Sequence, residues 1–200
     1  VPVPKQRNRK AENQQIKDAQ RPEDWSKQPH KRAQKDIDAR WTKKNHVSHF
    51  GYKAPISIDA GCGFIRRYAV TDAAVHDSQV LGQLLDIDNP DEPLWADSAD
   101  CSEARLDVLK GMGFDPQFNE RAYRNSPLSD EQKAANRERS KIRAKVEHVF
   151  GSWVSASGSK LLRTIGMARA KTHLGLQNLV YNLKRLVFLE TRARGAEIAG

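Results

Sequence analysis

Cysteine is nearly absent from this 200-residue chain: Cys62 and Cys101 are its two thiols, with no Cys-x-x-Cys and no histidine pair at zinc-finger spacing. A disulfide framework is thereby excluded and structural zinc is not expected. Long apolar runs are also missing. No stretch approaches the roughly 18 residues of a membrane span, and no charged-then-apolar signal segment opens the sequence, so the expected compartment is the cytoplasm and no membrane partner is expected. Large apolar side chains are scarce in residues 1–46, which hold four of the nine prolines (Pro2, Pro4, Pro22, Pro29) and many Gln, Asn and Lys. That composition predicts a basic arm or linker rather than a core, and a short helix over 11–20 would have only Ile16 to bury. No internal repeat is present.

What the sequence has in excess is positive charge, and its distribution is uneven. Residues 1–53 carry 14 basic and 6 acidic residues, residues 54–115 carry 4 and 12, and residues 116–200 carry 16 and 7, for a total of +9. Two cationic flanks thus enclose an anionic middle. A solvated surface mixes its signs, whereas an enzyme that holds DNA around a carboxylate-bound divalent ion needs them separated.

From His49 the pattern changes to short β-like runs. Phe50, Tyr52, Ile56 and Ile58 share even positions, Gly61 and Gly63 mark a turn, and 64–70 form a second run. Pro55 suggests a bulge or an edge position. Residues 77–85 predict a helix burying Val80, Leu81, Leu84 and Leu85, and 94–96 predict a short strand ending at Asp97. Ser102 is the expected N-cap of a helix burying Leu106, Leu109 and Met112. A strand over 114–118, a long helix from Ser129 through Trp153, and a last helix over 168–189 with Leu174, Leu176, Leu179, Leu183 and Leu186 inward complete the order. Strands first and long helices last predict the α/β class: a mixed sheet with flanking helices, an order that fits an RNase H-like core. The expected division is an arm at 1–46, a core at 47–190 and a disordered tail at 191–200.

Two carboxylates have positions suited to chemistry. Asp97 follows Trp95 and Ala96 at the expected C-terminal end of a strand, where α/β sheets present ligand-facing groups, although aspartate there also serves as a turn residue. Glu147 lies on the long predicted helix. With Ile142 set at 0°, helix geometry puts Val146, Val149, Phe150 and Trp153 between about 340° and 80° and Glu147 near 140°, at the border of the apolar stripe. Arg143, one turn earlier, would orient it or contact a phosphate; an exposed Arg/Glu pair is the plainer reading.

The words Asp38-Ala-Arg-Trp-Thr-Lys-Lys44, Phe50-Gly-Tyr-Lys53, Arg66-Arg-Tyr-Ala-Val-Thr-Asp-Ala-Ala-Val-His-Asp-Ser-Gln79, Trp95-Ala-Asp-Ser-Ala99 and Ser140-Lys-Ile-Arg-Ala-Lys-Val-Glu-His-Val-Phe-Gly151 occur in this order. Together they resemble the DDE transposases of the IS-five-like group of bacterial insertion sequences. The resemblance implies an RNase H-like fold and a pair of Mg²⁺ ions, with Mn²⁺ as a substitute, that cleave phosphodiesters and transfer DNA 3′ ends. It implies Asp97 and Glu147 as catalytic metal ligands. The first aspartate of that family falls in a strand before the segment resembling Val1-Pro-Val-Pro-Lys-Gln-Arg7, so the expectation is a partial core lacking that strand. Asp59 and Asp72 end predicted strands and are its conceivable substitutes; nothing singles either out. Only Arg143 and Glu147 carry over from the family's Tyr-x-x-Arg-x-x-x-Glu-x6-Lys pattern, since Ser140 and Val154 stand at its ends.

Hard carboxylate oxygens suit Mg²⁺, and two metals neutralise the entering and leaving oxygens of a phosphodiester. His76 and Asp77 would support the site by holding its ligands, while Asp77 is more simply a helix N-cap. Double-stranded DNA contacts are expected from Trp41, Lys43, Lys44, Lys53, Arg66, Arg67, Lys141 and Lys145, with Trp41 either stacking on a base or anchoring the arm. Self-association is also expected. The rivals are a catalytically inactive DNA-binding fragment that interferes with an intact enzyme, and a general basic nucleic-acid binder in which Asp97 and Glu147 lie far apart.

Overall fold

The fold was read from a computed structural model that describes residues 1–3, 8–87, 93–96, 102–123, 126–157 and 161–199. They form a mixed α/β structure whose chain divides into two compact units. One comprises 1–54, 70–75 and 157–177; the other comprises 55–69, 76–156 and 178–200.

The first unit begins with α1 (Lys10–Lys17), a single 3-10 turn (Glu23–Trp25) and α2 (Pro29–Ala33). A hairpin follows, β1 (Arg40–Lys44) and β2 (Val47–Lys53), in register Lys44↔Val47 to Arg40↔Gly51. Its two-residue turn is Asn45-His46, both at positive φ (48° and 62°), as a tight turn matching strand twist requires. The short β5 (Thr71–Asp72) pairs antiparallel with β2, and residues 1–3 run beside β2 through the Val3 N–H to Phe50 carbonyl bond of 2.9 Å. Trp25, Phe50, Tyr52, Leu162, Ala170 and Leu174 are among the buried residues here. The expected arm is therefore not a bare linker: Val3, Trp25 and Ala39 are all buried. The buried residue of α1 is Glu12 rather than Ile16, because hydrogen bonds, not apolar area, hold that helix down.

In the second unit β3 (Ile56–Ile58) and β4 (Ile65–Tyr68) make the expected hairpin, with Gly63 at φ 77° in its loop. The run 50–58 is two strands, not one: β2 ends at Lys53, Pro55 lies in neither strand, and the two strands belong to different sheets. Proline has no N–H to continue a ladder. The helix expected at 77–85 is a 3-10 turn (Asp77–Gln79) and a four-residue α3 (Leu81–Leu84). Strand β6 (Pro93–Leu94) pairs in parallel with β7 (Asp115–Pro116), and α4 (Glu103–Gly111) lies between them in sequence. Leu85, Leu109, Phe114 and Phe118 form a core joined by Leu81, Leu94, Ala96 and Leu106. Met112, expected inside, is exposed, since α4 ends at Gly111. Ser102 holds the N-cap position of α4 without a side-chain cap bond.

The long helix from Ser129 is interrupted. Ser129 starts α5 (Asp130–Arg143) with a reciprocal box, its Oγ accepting from Gln132 N–H and Gln132 Oε1 accepting from Ser129 N–H. At Ala144 the chain tightens through a Glu147 N–H to Ala144 carbonyl bond, and α6 (Lys145–Ser157) follows.

Helix α7 (Met167–Ala199) runs 33 residues, through the segment expected as a tail. Of the leucines expected inside it, Leu174 is fully buried, whereas Leu176, Leu179, Leu183 and Leu186 are not. With Val180, Val187 and Phe188 they are 44–62% exposed. The inward contacts of its second-unit part are polar. Tyr181 donates to the Gly63 carbonyl, the Asn182 amide bonds both N–H and C=O of Ile65 at 2.9 Å, and Arg185 Nε donates to the Cys62 carbonyl. Buried Asn178 precedes them by one turn, with neither amide atom partnered among the described residues.

Among the described residues the strands make three small sheets rather than one, and no helix is long and apolar enough to cross a membrane.

Candidate functional site

Asp97 lies outside the described residues. Glu147 is in the first turn of α6 with an exposed side chain, where the helix dipole favours a negative charge. Of the apolar stripe inferred around it, Val149 is fully buried and Trp153 is 8% exposed, Ile142 and Val146 are half-buried, and Phe150, edge-on to Trp153 at 5.1 Å, is 38% exposed. Arg143 is the half-buried last residue of α5, so the break at Ala144 puts it and Glu147 on successive helices rather than one.

The chemistry of a carboxylate at Glu147 fits a hard divalent cation. Among the described residues, however, no group of three acidic, histidine or cysteine side chains converges as a metal cluster. The two aspartates that end predicted strands are occupied by local N–H groups: Asp59 accepts from Cys62 and Asp72 from Ala74. His76 supplies a cap, Nδ1 accepting from Ser78 N–H at 3.2 Å. Asp77 is therefore the first residue of the 3-10 turn, not its N-cap, because the imidazole already fills that role.

The expected DNA-binding cations divide by how they are engaged. Lys43 and Lys44 are exposed on β1, and Trp41, 45% exposed, is tilted against Phe50 with centroids 5.1 Å apart. Lys53 donates to the Val75 carbonyl, Lys141 pairs with Glu138 one turn away at 2.6 Å, and Lys145 reaches the Ala60 carbonyl. Arg66 and Arg67 share one acid, Asp86. Arg66 binds Oδ2 through Nε and Nη2 at 3.1 and 2.8 Å, and Arg67 binds Oδ1 in the same way at 3.3 and 3.0 Å. Arg67 first and Arg66 second hold the Asp86 carboxyl below its ordinary range. These residues line an open cleft of about 520 Å³ together with Asp59, Cys62 and Asn182.

Sequence reasoning missed two acid networks. Buried Asp36 accepts from Tyr52 Oη at 2.8 Å, from the N–H groups of Asp38 and Ala39, and from Gly166 N–H. Asp38 Oδ2 accepts from Met167 N–H at 2.8 Å, at the start of α7. Burial first, then the bond to Asp36, drives the Tyr52 hydroxyl far above the ordinary tyrosine range, so it stays protonated as the donor. Glu12 accepts from Trp25 Nε1 at 2.9 Å and from Arg9 N–H at 2.6 Å. The spacing Asp36-Ile-Asp38 before Arg40-Trp41 was the available signal for the first network. Asp86 had none, since its arginines lie 20 and 19 positions away.

A family model described as Transposase DDE domain matches residues 13–183, well over half of the chain. A curated relative, the transposase for insertion sequence element IS1106 of Neisseria meningitidis serogroup B, is 35% identical over 118 residues. That match covers 59% of this chain and 41% of the relative, so the chain spans about two fifths of the relative's length. No solved structure matches.

Proposed function

Since the chain belongs to the transposase DDE-domain family, as the match over 13–183 shows, we propose that it is part of an enzyme that cuts DNA at insertion-sequence ends and joins the 3′ ends to a target. The observation that carries this reading is that the match includes the words around both Asp97 and Glu147. Asp97 and Glu147 are the carboxylates assigned to hold Mg²⁺, with Arg143, His76 and Asp77 in supporting positions. When bound, the metal pair supplies charge neutralisation at the entering and leaving oxygens. This chain's own cations, Lys43 and Lys44 on the first hairpin, Lys141 on α5 and Lys145 on the helix of Glu147, would position the DNA backbone without reading its sequence.

The finer fold assignment is part of the same proposal: an RNase H-like mixed sheet with flanking helices. The parallel pair β6–β7 supports it, because parallel strands ordinarily belong to larger sheets covered on both faces. The proposed location is the bacterial cytoplasm, on the nucleoid when DNA is bound.

A second reading, a catalytically inactive piece that binds DNA and interferes with intact enzyme by mixed assembly, is favoured by the exposed apolar side chains of α7. Incubation of the chain with a labelled insertion-sequence end and Mg²⁺ separates the two. Metal-dependent nicking lost in Asp97→Ala and in Glu147→Gln supports the enzyme. DNA binding without nicking, unchanged by both substitutions, supports the second reading.

A further inference from the structure

The carboxylate of Asp86 gives one oxygen to each of two guanidiniums, and each guanidinium engages its oxygen side-on through Nε and Nη2. Two neighbouring anionic oxygens, each held by one arginine, are also what the non-bridging oxygens of a phosphodiester present. The cleft is open to solvent, and the arginine side chains are 55% and 38% exposed. Two further cations stand at the 59–63 loop, Lys145 on the Ala60 carbonyl and Arg185 on the Cys62 carbonyl. Asp86 is the less exposed member of the cluster, at 19%. It directly follows the C-cap of α3, Leu85, and lines the same cleft as the arginines.

We propose that the β3–β4 cleft is a seat for a DNA backbone phosphate and that Asp86 is its built-in competitor, occupying Arg66 and Arg67 until a phosphodiester displaces it. The inference rests on the DNA-acting reading above and adds a regulated contact to it. Exchange of one anion for another leaves the guanidiniums paired throughout, while the displaced Asp86 carboxylate gives up both partners and passes to solvent. It also makes binding at this cleft weaker than two free arginines would give, a brake on indiscriminate capture of DNA.

The test uses the full chain, a fluorescent duplex and anisotropy at about 50 and about 200 mM salt. Asp86→Asn removes the competing carboxylate and is expected to tighten binding roughly three- to tenfold beyond Asp107→Asn, an exposed acid on α4 that controls for the bare change in charge. Adding Arg66→Ala and Arg67→Ala to Asp86→Asn is expected to abolish that gain. Independently of how the Asp86 variant folds, Cys62 in the cleft reports occupancy. In a Cys101→Ser background, saturating DNA is expected to slow its alkylation at least fivefold. Asp86→Asn binding no tighter than Asp107→Asn, or a Cys62 alkylation rate indifferent to bound DNA, overturns the seat while leaving DNA binding intact. Absence of DNA binding by every variant overturns the DNA-acting reading as well.

Discussion

Glu12 and Asp36 are carboxylates buried in a segment with few large apolar side chains, and each survives burial by collecting donors. For Glu12, burial raises the carboxyl, but Arg9 N–H, Trp25 Nε1 and the nearby Lys31 and Lys35 outweigh it and leave the group below its ordinary range. A carboxyl depressed by folding contributes stability that is complete above its unfolded value of about 4.3 and is lost as pH falls through the lower folded value. Thermal unfolding between about pH 5 and about pH 3 should therefore show a decline in the native chain that Glu12→Gln flattens; parallel curves would remove Glu12 from the acid response. At neutral pH, Glu12→Ala should cost about 1–3 kcal/mol in a urea titration, because the buried Trp25 indole loses its acceptor. Neither acid was legible as a structural residue. Their partners lie 13 and up to 130 positions away, and local patterning cannot report which distant donor will meet a carboxylate.

Secondary elements were more readable than their faces. The helix starts at Ser129 and near Ala168, the Gly63-containing hairpin and the strand near Leu94 were all anticipated, because caps, turns and periodicity are local. The β1–β2 hairpin was overlooked, and the expected boundary at 46/47 falls inside its turn, where the Lys-rich strand concealed the signal of Asn45. His46 holds φ 62° there without glycine's freedom. His46→Gly should raise stability by about 0.5 kcal/mol, read as a higher urea midpoint; a lower midpoint would mean that the imidazole contributes more than the turn strains it. The break at Ala144 carries no proline or glycine to announce it, so only the tertiary setting of α5 and α6 decides it.

At the scale of the whole chain, apolar periodicity located α7 but not the side on which it would be buried. Its second-unit contacts run through Tyr181, Asn182 and Arg185 while Leu179, Leu183 and Leu186 face solvent, the reverse of an ordinary amphipathic helix. A patch of this kind promotes association. Leu179→Lys with Leu183→Lys should lower the weight-average mass in sedimentation and the binding of an apolar dye; unchanged values would mean that this face is inert. Of the candidate catalytic pair, Asp97 lies outside the described residues and Glu147 is exposed in the first turn of α6; the order of the charge blocks says nothing of distances. The contact between Asp38 and Met167 has one more consequence. The first unit is stitched from residues 1–54 and 157–177, so during synthesis residues 1–54 must wait, unfinished, until residue 177 has left the ribosome. A nascent chain stalled before residue 157 should be open to protease within residues 1–54 and closed once residue 177 has emerged.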